Sequence, residues 1–202
     1  NNLQSEIAKR QQEEARRMAL EKALAVPLAS GRVTLNNGRI GISGSVLFDF
    51  NSDQLRPEGE QLLKALVPPL QVYLGERDEM LMVSGFTDNV PVPRNNGQFQ
   101  DNLELSAQRA LTVTRTLVRE GMPRSRVFSA AFGAEQPVAS NADEQGRALN
   151  RRVEMAPVPR ASAAAGDSRA MARTPAIRFP VAVPRERFCK LRSSQAVPRR
   201  AR

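Results

Sequence analysis

The sequence predicts a two-layer α/β sandwich, because segments with strand patterns and segments with helix patterns alternate through its middle part. A helix from about Arg56 separates the first core strand from the second. A further helix from about Asp101 separates the second strand from the third. We therefore expect a mixed four-stranded sheet with two main helices. The predicted divisions are a helical stalk at 1–27, a domain at 32–155 with its core at 45–155, and a tail at 156–202.

The first segment is predicted to be a helix, because it is rich in strong helix formers and contains no Gly or Pro before Pro27. Pro27 is expected to end it. Only a thin apolar stripe runs along this helix, formed by Leu3, Ile7, Met18 and Leu24. The pattern leaves two alternatives open, a solvated single helix and a coiled-coil stalk, since sustained heptads are missing.

The domain is expected to begin with a hairpin at 32–43, where Asn37-Gly38 is a strong turn signal. Alternating apolar residues at 46–50 then predict a strand. The following helix has Pro57 in its first turn, which suits the start of a helix. Pro68-Pro69 is expected to break or kink it.

The second half repeats this order. The apolar run at 80–86 predicts a buried strand, followed by a long loop to Gln100. Asp101 and Glu104 resemble a capping box at the start of the next helix, and Gly121 is placed to stop it. Strands are expected at 127–132 and 150–155, with a loop and a helical turn between them.

Composition excludes several kinds of site. The chain has no His and one Cys, Cys189, so it has neither a serine–histidine mechanism nor a histidine-based metal site, nor an internal disulfide. We expect no metal and no cofactor. No run of eighteen apolar residues is present, so no transmembrane helix is expected.

The net charge of +9 lies entirely in the tail. Of 30 basic and 21 acidic residues, 11 and 2 lie in 156–202, which leaves 19 of each in the rest of the chain. A globally basic DNA-binding fold is therefore disfavoured. The tail has no periodicity and is expected to be disordered. It is either a lightly selected extension or a segment that binds anionic lipid or nucleic acid.

A candidate site follows from two positions. Asp88 comes directly after the buried strand, and Asn102, Ser106 and Arg109 share one helix face. If these positions border one cleft, the arginine suits a carboxylate and the aspartate an ammonium, as a zwitterionic amino acid requires. The alternative is that Asp88 caps a turn and Arg109 pairs with a nearby acid on the surface.

Ordered motifs favour the first of these alternatives. Between residues 46 and 155 the chain contains, in order, VLFDFNSDQLRPEG, GFTDN, NLELSAQRA, GAEQP and GRALNRRVEM. This set resembles the OmpA-like peptidoglycan-binding family, and the long loop after GFTDN is most similar to its MotB-type flagellar stator members. The resemblance implies an OmpA C-terminal-like fold and a protein that binds without catalysis.

The resemblance also implies the ligand, which is the peptide stem of peptidoglycan and in particular its diaminopimelate residue. By this match, Asp88 binds the side-chain ammonium and Arg109 the carboxylate. The other implied ligand-binding residues are Phe50, Asn51, Thr87, Asn102, Leu105 and Arg152. The matching residues Gly146, Arg147, Asn150 and Arg151 are expected to brace the last strand and its loop instead.

Partners and location follow from the same resemblance. It implies a homodimer in the periplasm of a Gram-negative envelope, joined to an inner-membrane motor or another envelope complex through an upstream anchor. MotB-type proteins also carry a transmembrane helix with a proton-carrying acid, and this sequence contains neither. One enzymatic alternative is a wall hydrolase that uses Asp49 and Asp88 as paired carboxylates, although no motif spacing favours it.

Overall fold

The computed structural model describes residues 2–49, 51–93 and 98–160. It has the mixed α/β architecture that the sequence predicts. Its strands are β1 (Val33–Asn36), β2 (Arg39–Ser43), β3 (Glu79–Phe86), β4 (Val127–Gly133) and β5 (Arg152–Pro159). The helices of these residues are α1 (Asn2–Ala23), α2 (Ala25–Ala29), α3 (Gly44–Leu47), α4 (Pro57–Gly75), α5 (Asn102–Arg119) and α6 (Glu144–Asn150).

The strands form one sheet in the order β1-β2-β5-β3-β4. β3 and β4 are parallel, and the other neighbouring pairs are antiparallel. The predicted hairpin is present, with Asn37 and Gly38 at φ 51° and 75°, the positive values that this turn requires. The sheet has five strands and not the expected four, because both hairpin strands join it through the pairing of β2 with β5 and the strand expected at 46–50 is not part of it.

The strand predicted at 46–50 is also wrong for the described residues. Residues Gly44–Leu47 form a helical turn, and Phe48 makes only an isolated bridge with Leu55. The Gly44 N–H donates to the carbonyl of Arg151 at 2.8 Å. A Cβ on Gly44 would lie 2.8 Å from that same oxygen. This close backbone contact holds the turn, and the alternation of apolar residues gives no sign of it.

Helix α4 runs through Pro68 and Pro69 without ending, so of the predicted break or kink the break is wrong. A proline removes the hydrogen bond to the carbonyl four residues earlier. Those carbonyls belong to Lys64 and Ala65, both of which are exposed, so water can satisfy them. Burial of the opposite face, which includes Leu63, Leu66 and Leu70, stabilises the continuous helix.

The N-terminal helix is exposed along its first part and packed at its end. Leu20 and Leu24 are 2% and 0% exposed and belong to the hydrophobic core. Helix α1 ends at Ala23, and Pro27 lies inside α2, so Pro27 is not the residue that ends it. No helix among the described residues is long and apolar enough to cross a bilayer.

Helix α5 begins and ends as predicted. The Asp101 carboxylate accepts from the Glu104 N–H at 2.8 Å, and Glu104 accepts from the Gln100 N–H at 2.7 Å. Gly121 has φ 114°, a left-handed value that favours glycine after a helix. These contacts fix where α5 begins, next to the loop that follows β3. The candidate residues lie in this region.

The last strand extends beyond its predicted end. β5 pairs with β3 as far as Pro159 opposite Glu79, so residues 156–159 belong to the sheet and not to the tail. The rest of the tail, with Cys189, lies outside the described residues. Its predicted disorder and its binding to lipid or nucleic acid stay predictions.

Candidate functional site

A cavity of about 470 Å³ lies beyond the C-terminal end of β3. Its walls come from the β3–α5 loop, the first turns of α5, the segment around α3, and α6 with the residue after it. The charged residues that line it are Asp49, Arg56, Asp88, Arg109, Glu144, Arg147 and Arg151. Four arginines against three carboxylates give this cavity a formal excess of one positive charge.

Asp88 lies on this cavity, where β3 ends. The residue is 7% exposed, and the preceding Thr87 N–H donates to the Gly133 carbonyl at 2.8 Å, which fixes the end of the strand. Asp88 Oδ1 accepts from the Val90 N–H at 3.1 Å. Its Oδ2 accepts from Arg151 Nη1 at 2.6 Å. The aspartate therefore does cap a turn, and it also carries a charge that one arginine compensates.

Arg109 faces the same cavity from the second turn of α5 and is only 6% exposed. Its Nε donates to the Ser52 carbonyl at 2.9 Å, and its guanidinium carbon lies 5.2 Å from the centre of the Phe48 ring. In the described part of the chain, no carboxylate lies within ion-pair distance of Arg109. The alternative expectation, a surface ion pair with a local acid, does not describe this residue.

Burial sets the electrostatics of Arg109. Desolvation, with a smaller repulsion from Arg151, lowers the pKa of Arg109 to about 10, and Asp88 and Asp53 offset only part of this. The guanidinium is still protonated at neutral pH. A buried charge of this kind is costly when it has no partner of opposite sign, so the cavity offers an unusually favourable position for an anion.

Two other residues of α5 hold and line the cavity. Asn102 Nδ2 donates to the carbonyls of Asp88 and Val90, at 3.2 and 3.0 Å, and so pins the β3–α5 loop to the helix. Leu105 is 4% exposed and forms part of the apolar wall. Ser106, expected on the same face, points elsewhere, since its hydroxyl accepts from the Gly133 N–H at 3.0 Å.

Of the other predicted residues, Asn51 and Thr87 also line the cavity. Asn51 has φ 51°, a left-handed conformation that asparagine tolerates better than most residues. The Thr87 hydroxyl donates to the Asp88 carbonyl at 3.0 Å. Phe50 and residues 94–97 of the long loop lie outside the described residues, so the expectation for Phe50 stays a prediction.

Arg152 is not among the described residues that line this cavity, and its predicted contact with the ligand stays a prediction. Its Nε donates to Glu154 at 2.6 Å, and its guanidinium carbon lies 3.9 Å from the centre of the Phe86 ring. Neighbouring residues at the start of a strand point to opposite sides. Arg151, one position earlier, is therefore the arginine that reaches Asp88.

Comparison with known proteins places the chain in a family. The family model for OmpA matches residues 47–151, a little over half of the 202 residues. The chain belongs to the OmpA family. The matched region contains the cavity residues Asp88, Asn102, Leu105, Arg109 and Arg151.

Several relatives of this OmpA-family chain are MotB-like, as its long loop predicts. Motility protein B of Bacillus subtilis (strain 168) is 38% identical over 125 residues, which are 61% of this chain and 46% of that protein. This chain therefore spans about half of that relative. A putative MotB like protein from Desulfovibrio vulgaris has a solved structure that superposes with a TM-score of 0.63 at 28% identity, covering 76% of this chain and 99% of that one.

A further solved structure is described as the cell wall anchor of the T6SS from Pseudomonas aeruginosa. It has a TM-score of 0.58 and 29% identity, covering 67% of this OmpA-family chain and 94% of that chain. Both solved structures share the mixed α/β fold of this chain.

Sequence reasoning missed three charged residues around Asp88. Arg151 donates to Asp88 and to Glu144, and Arg147 donates to Glu144 from the same helix. Hydrogen bonds from Arg151 and then Arg147 hold the pKa of Glu144 below its usual value. The available signal was the spacing of Glu144, Arg147 and Arg151, which places them on one side of α6. It does not reveal that Asp88 lies opposite.

Other residues of the last motif do brace the structure, as expected. The Asn150 side chain is fully buried and bonds to the backbone at Val138 and Ala139 and to the side chain of Asn141. A Cβ on Gly146 would lie 1.8 Å from the Ser140 carbonyl. These contacts hold the loop before β5 and therefore the position of Arg151.

Proposed function

We propose that this chain binds the peptide stem of peptidoglycan without catalysing a reaction on it, and thereby anchors an envelope complex to the cell wall. The observation that carries this proposal is the buried Arg109 guanidinium, which faces the same cavity as Asp88 without a carboxylate partner among the described residues. The likeness to the structure described as a cell wall anchor supports it.

Arg109 would bind the ligand's carboxylate. Its Nε is engaged with the Ser52 carbonyl, while its terminal nitrogens have no acceptor among the described contacts. A carboxylate there would compensate the buried charge. Charge-assisted hydrogen bonds of this kind are about twice as strong as neutral ones.

Asp88 would bind an ammonium at the other side of the cavity. A carboxylate offers about four acceptor positions, and Asp88 uses one for Val90 and one for Arg151. Leu105, Pro91 and Pro93 supply apolar lining to the same cavity. A methylene chain with a zwitterionic end, such as that of diaminopimelate, matches this combination of charged and apolar surface.

The hydrolase alternative is less well supported by the same contacts. Asp49 is 3.6 Å from Arg56, and its side chain is 76% exposed, whereas Asp88 is paired with Arg151. Neither carboxylate is therefore placed as a free acid in the cavity that could protonate a glycosidic oxygen.

The proposal is tested with the 202-residue chain and purified sacculi. We expect wild-type protein to co-sediment and to bind a diaminopimelate-containing stem peptide in calorimetry. Arg109→Ala should lower affinity at least tenfold, roughly the effect of one lost charge-assisted contact. Arg119→Ala is the matched control, since Arg119 lies on the same helix but is exposed and paired with Glu60.

Two outcomes would count against the proposal. If wild-type protein binds neither sacculi nor peptide, the wall-binding function is wrong. If Arg109→Ala binds as well as Arg119→Ala does, the function stands but the site is elsewhere.

The setting of this function is proposed from the family resemblance. We place the chain in the periplasm, as a homodimer joined to an inner-membrane motor or another envelope complex. Co-purification of peptidoglycan-bound protein with an inner-membrane complex would support this placement. Recovery of the native protein from the cytoplasmic fraction alone would contradict it.

A further inference from the structure

Arg151 donates to one carboxylate oxygen of Asp88 at the wall of the cavity. Its Nη1 lies 2.6 Å from Asp88 Oδ2, and its Nη2 bonds to Glu144. The backbone at Arg151 is held at both ends, because its N–H donates to the Arg147 carbonyl and its carbonyl accepts from Gly44. With the main chain held, a change of partner at Arg151 would be a movement of the side chain alone.

The two carboxylates around Arg151 differ in their surroundings. The Asp88 side chain is 9% exposed and lines the inner part of the cavity, whereas the Glu144 side chain is 66% exposed. Glu144 also accepts from Arg147, so it stays within an ion-pair network when Arg151 moves. An arginine released from Asp88 thus keeps a partner at the rim.

Asp88 has unused acceptor positions, but a ligand ammonium beside it would add a third positive charge to this arrangement. Arg109 and Arg151 already lie close enough for the charge of one to lower the pKa of the other. A third cation beside Asp88 would meet two guanidiniums and one carboxylate. Like charges at such distances repel strongly where water is largely excluded, so an incoming ammonium must replace one of the cations.

We infer that the Arg151 guanidinium holds the position on Asp88 that the ligand's ammonium takes. When the ligand binds, its ammonium replaces the guanidinium on Asp88, and Arg151 stays paired with Glu144. The inference rests on the proposed function. It makes Arg151 a specificity-determining residue, because only a ligand that carries an ammonium compensates Asp88 after the exchange. A ligand with a carboxylate alone gains Arg109 but leaves the Asp88–Arg151 pair intact.

The test compares two ligands that differ in one charge. One is the diaminopimelate-containing stem peptide, and the other is the same peptide with only the side-chain amine of its diaminopimelate acetylated. The ratio of their affinities for the 202-residue chain reports how well Asp88 receives the ammonium. In Arg151→Gln, Asp88 has lost its competing cation, so we expect this ratio to rise roughly tenfold over wild type.

Arg119→Gln is the matched control, because it removes the same charge at an exposed position that is paired with Glu60 and does not line the cavity. Its ratio should stay near that of wild type, which separates exchange at Asp88 from a general change in potential. Glu144→Gln should act in the opposite direction to Arg151→Gln and lower the ratio, since Arg151 then has only Asp88 as a partner. Glu144 is exposed, so this variant also provides the test if Arg151→Gln does not fold.

Other outcomes would contradict the exchange. If Arg151→Gln weakens both peptides equally, Arg151 binds the ligand directly and the exchange is refuted. If the ratio is unchanged in Arg151→Gln and Glu144→Gln, Arg151 does not compete for Asp88. If wild-type protein binds neither peptide, the proposed function fails and the exchange fails with it. If peptide binding depends on Arg109 but the variants leave the ratio of the two affinities unchanged, only the exchange is refuted.

Discussion

Arg109 combines a cost in stability with a function in binding. A guanidinium that is 6% exposed loses most of its hydration, and its lowered pKa shows that the folded protein disfavours the charged form relative to water. Because the folded pKa lies below the ordinary value, the positive charge destabilises the ligand-free protein at neutral pH. Residues of this kind are retained where a ligand provides the missing charge.

Arg109→Met should therefore stabilise the ligand-free chain while abolishing binding. The methionine keeps an unbranched apolar chain beside Phe48 and loses the bond to the Ser52 carbonyl. We expect the free energy of unfolding in urea to rise by about 1 kcal/mol, since removal of the desolvated charge outweighs one lost hydrogen bond. A decrease of similar size would show that Arg109 holds the fold together. Arg119→Met, at an exposed position, should change stability little.

Arg151 and Arg152 are neighbours in the chain, and their identity alone does not determine which of them reaches the cavity. Both match the family motif, and strand alternation requires that their side chains diverge. Asp88, which selects Arg151, lies 63 positions earlier in the chain. Phe86, which lies opposite Arg152 in the sheet, is equally remote in sequence. Spacing alone could therefore show that one of the two reaches the cavity, but not which one.

The elements that were predicted well are those whose ends carry their own chemistry. Helix α5 begins at the Asp101 cap and ends before Gly121, and both signals act within a few residues. The β1–β2 hairpin depends in the same way on Asn37 and Gly38. Two of the wrong predictions, the strand at 46–50 and the break in α4, arise where contacts from other elements override a local preference.

Helix α6 provides a prediction about pH. Hydrogen bonds from Arg151 and Arg147 hold the pKa of Glu144 below the usual 4.5. Because the folded pKa is lowered, the stabilising contribution of this network is present above pH 4.5 and is lost as the pH falls through the folded value. The Glu144 carboxyl carbon, followed by NMR, should titrate below pH 4.5. Arg151→Gln should move that midpoint back up, and a midpoint unaffected by Arg151→Gln would exclude the pair in solution.

Across the whole domain, the sheet joins distant parts of the chain. β2 pairs with β5, and β3 lies between β5 and β4, so the N-terminal hairpin and the last strand are neighbours. The core likewise includes Leu20 and Leu24 of the N-terminal segment. Experiments on binding are best made with the full chain, since a fragment that begins at residue 45 would lack β1, β2 and part of the core.

Leu20→Ala and Leu24→Ala test whether the end of the N-terminal segment is part of the domain. Each removes a buried side chain from the core and should lower the free energy of unfolding by roughly 2 to 5 kcal/mol. Ile7→Ala, on the same helix at 48% exposure, is the control and should have little effect. Urea titrations followed by circular dichroism provide the comparison. Equal small effects in all three variants would mean that the whole segment is a separate solvated helix.

The sequence alone established the α/β class, the hairpin, the capped helix and the pairing of Asp88 with Arg109 as candidate residues. Each of these follows from periodicity, from turn chemistry within a few residues, or from motifs in a recognisable order. The number of strands, the burial of Leu20 and Leu24, the turn at Gly44 and the Arg151–Asp88 pair were visible only in the folded molecule. They depend on contacts between residues far apart in the chain. A linear pattern does not record which of these residues pack closely enough to exclude water or to form an ion pair.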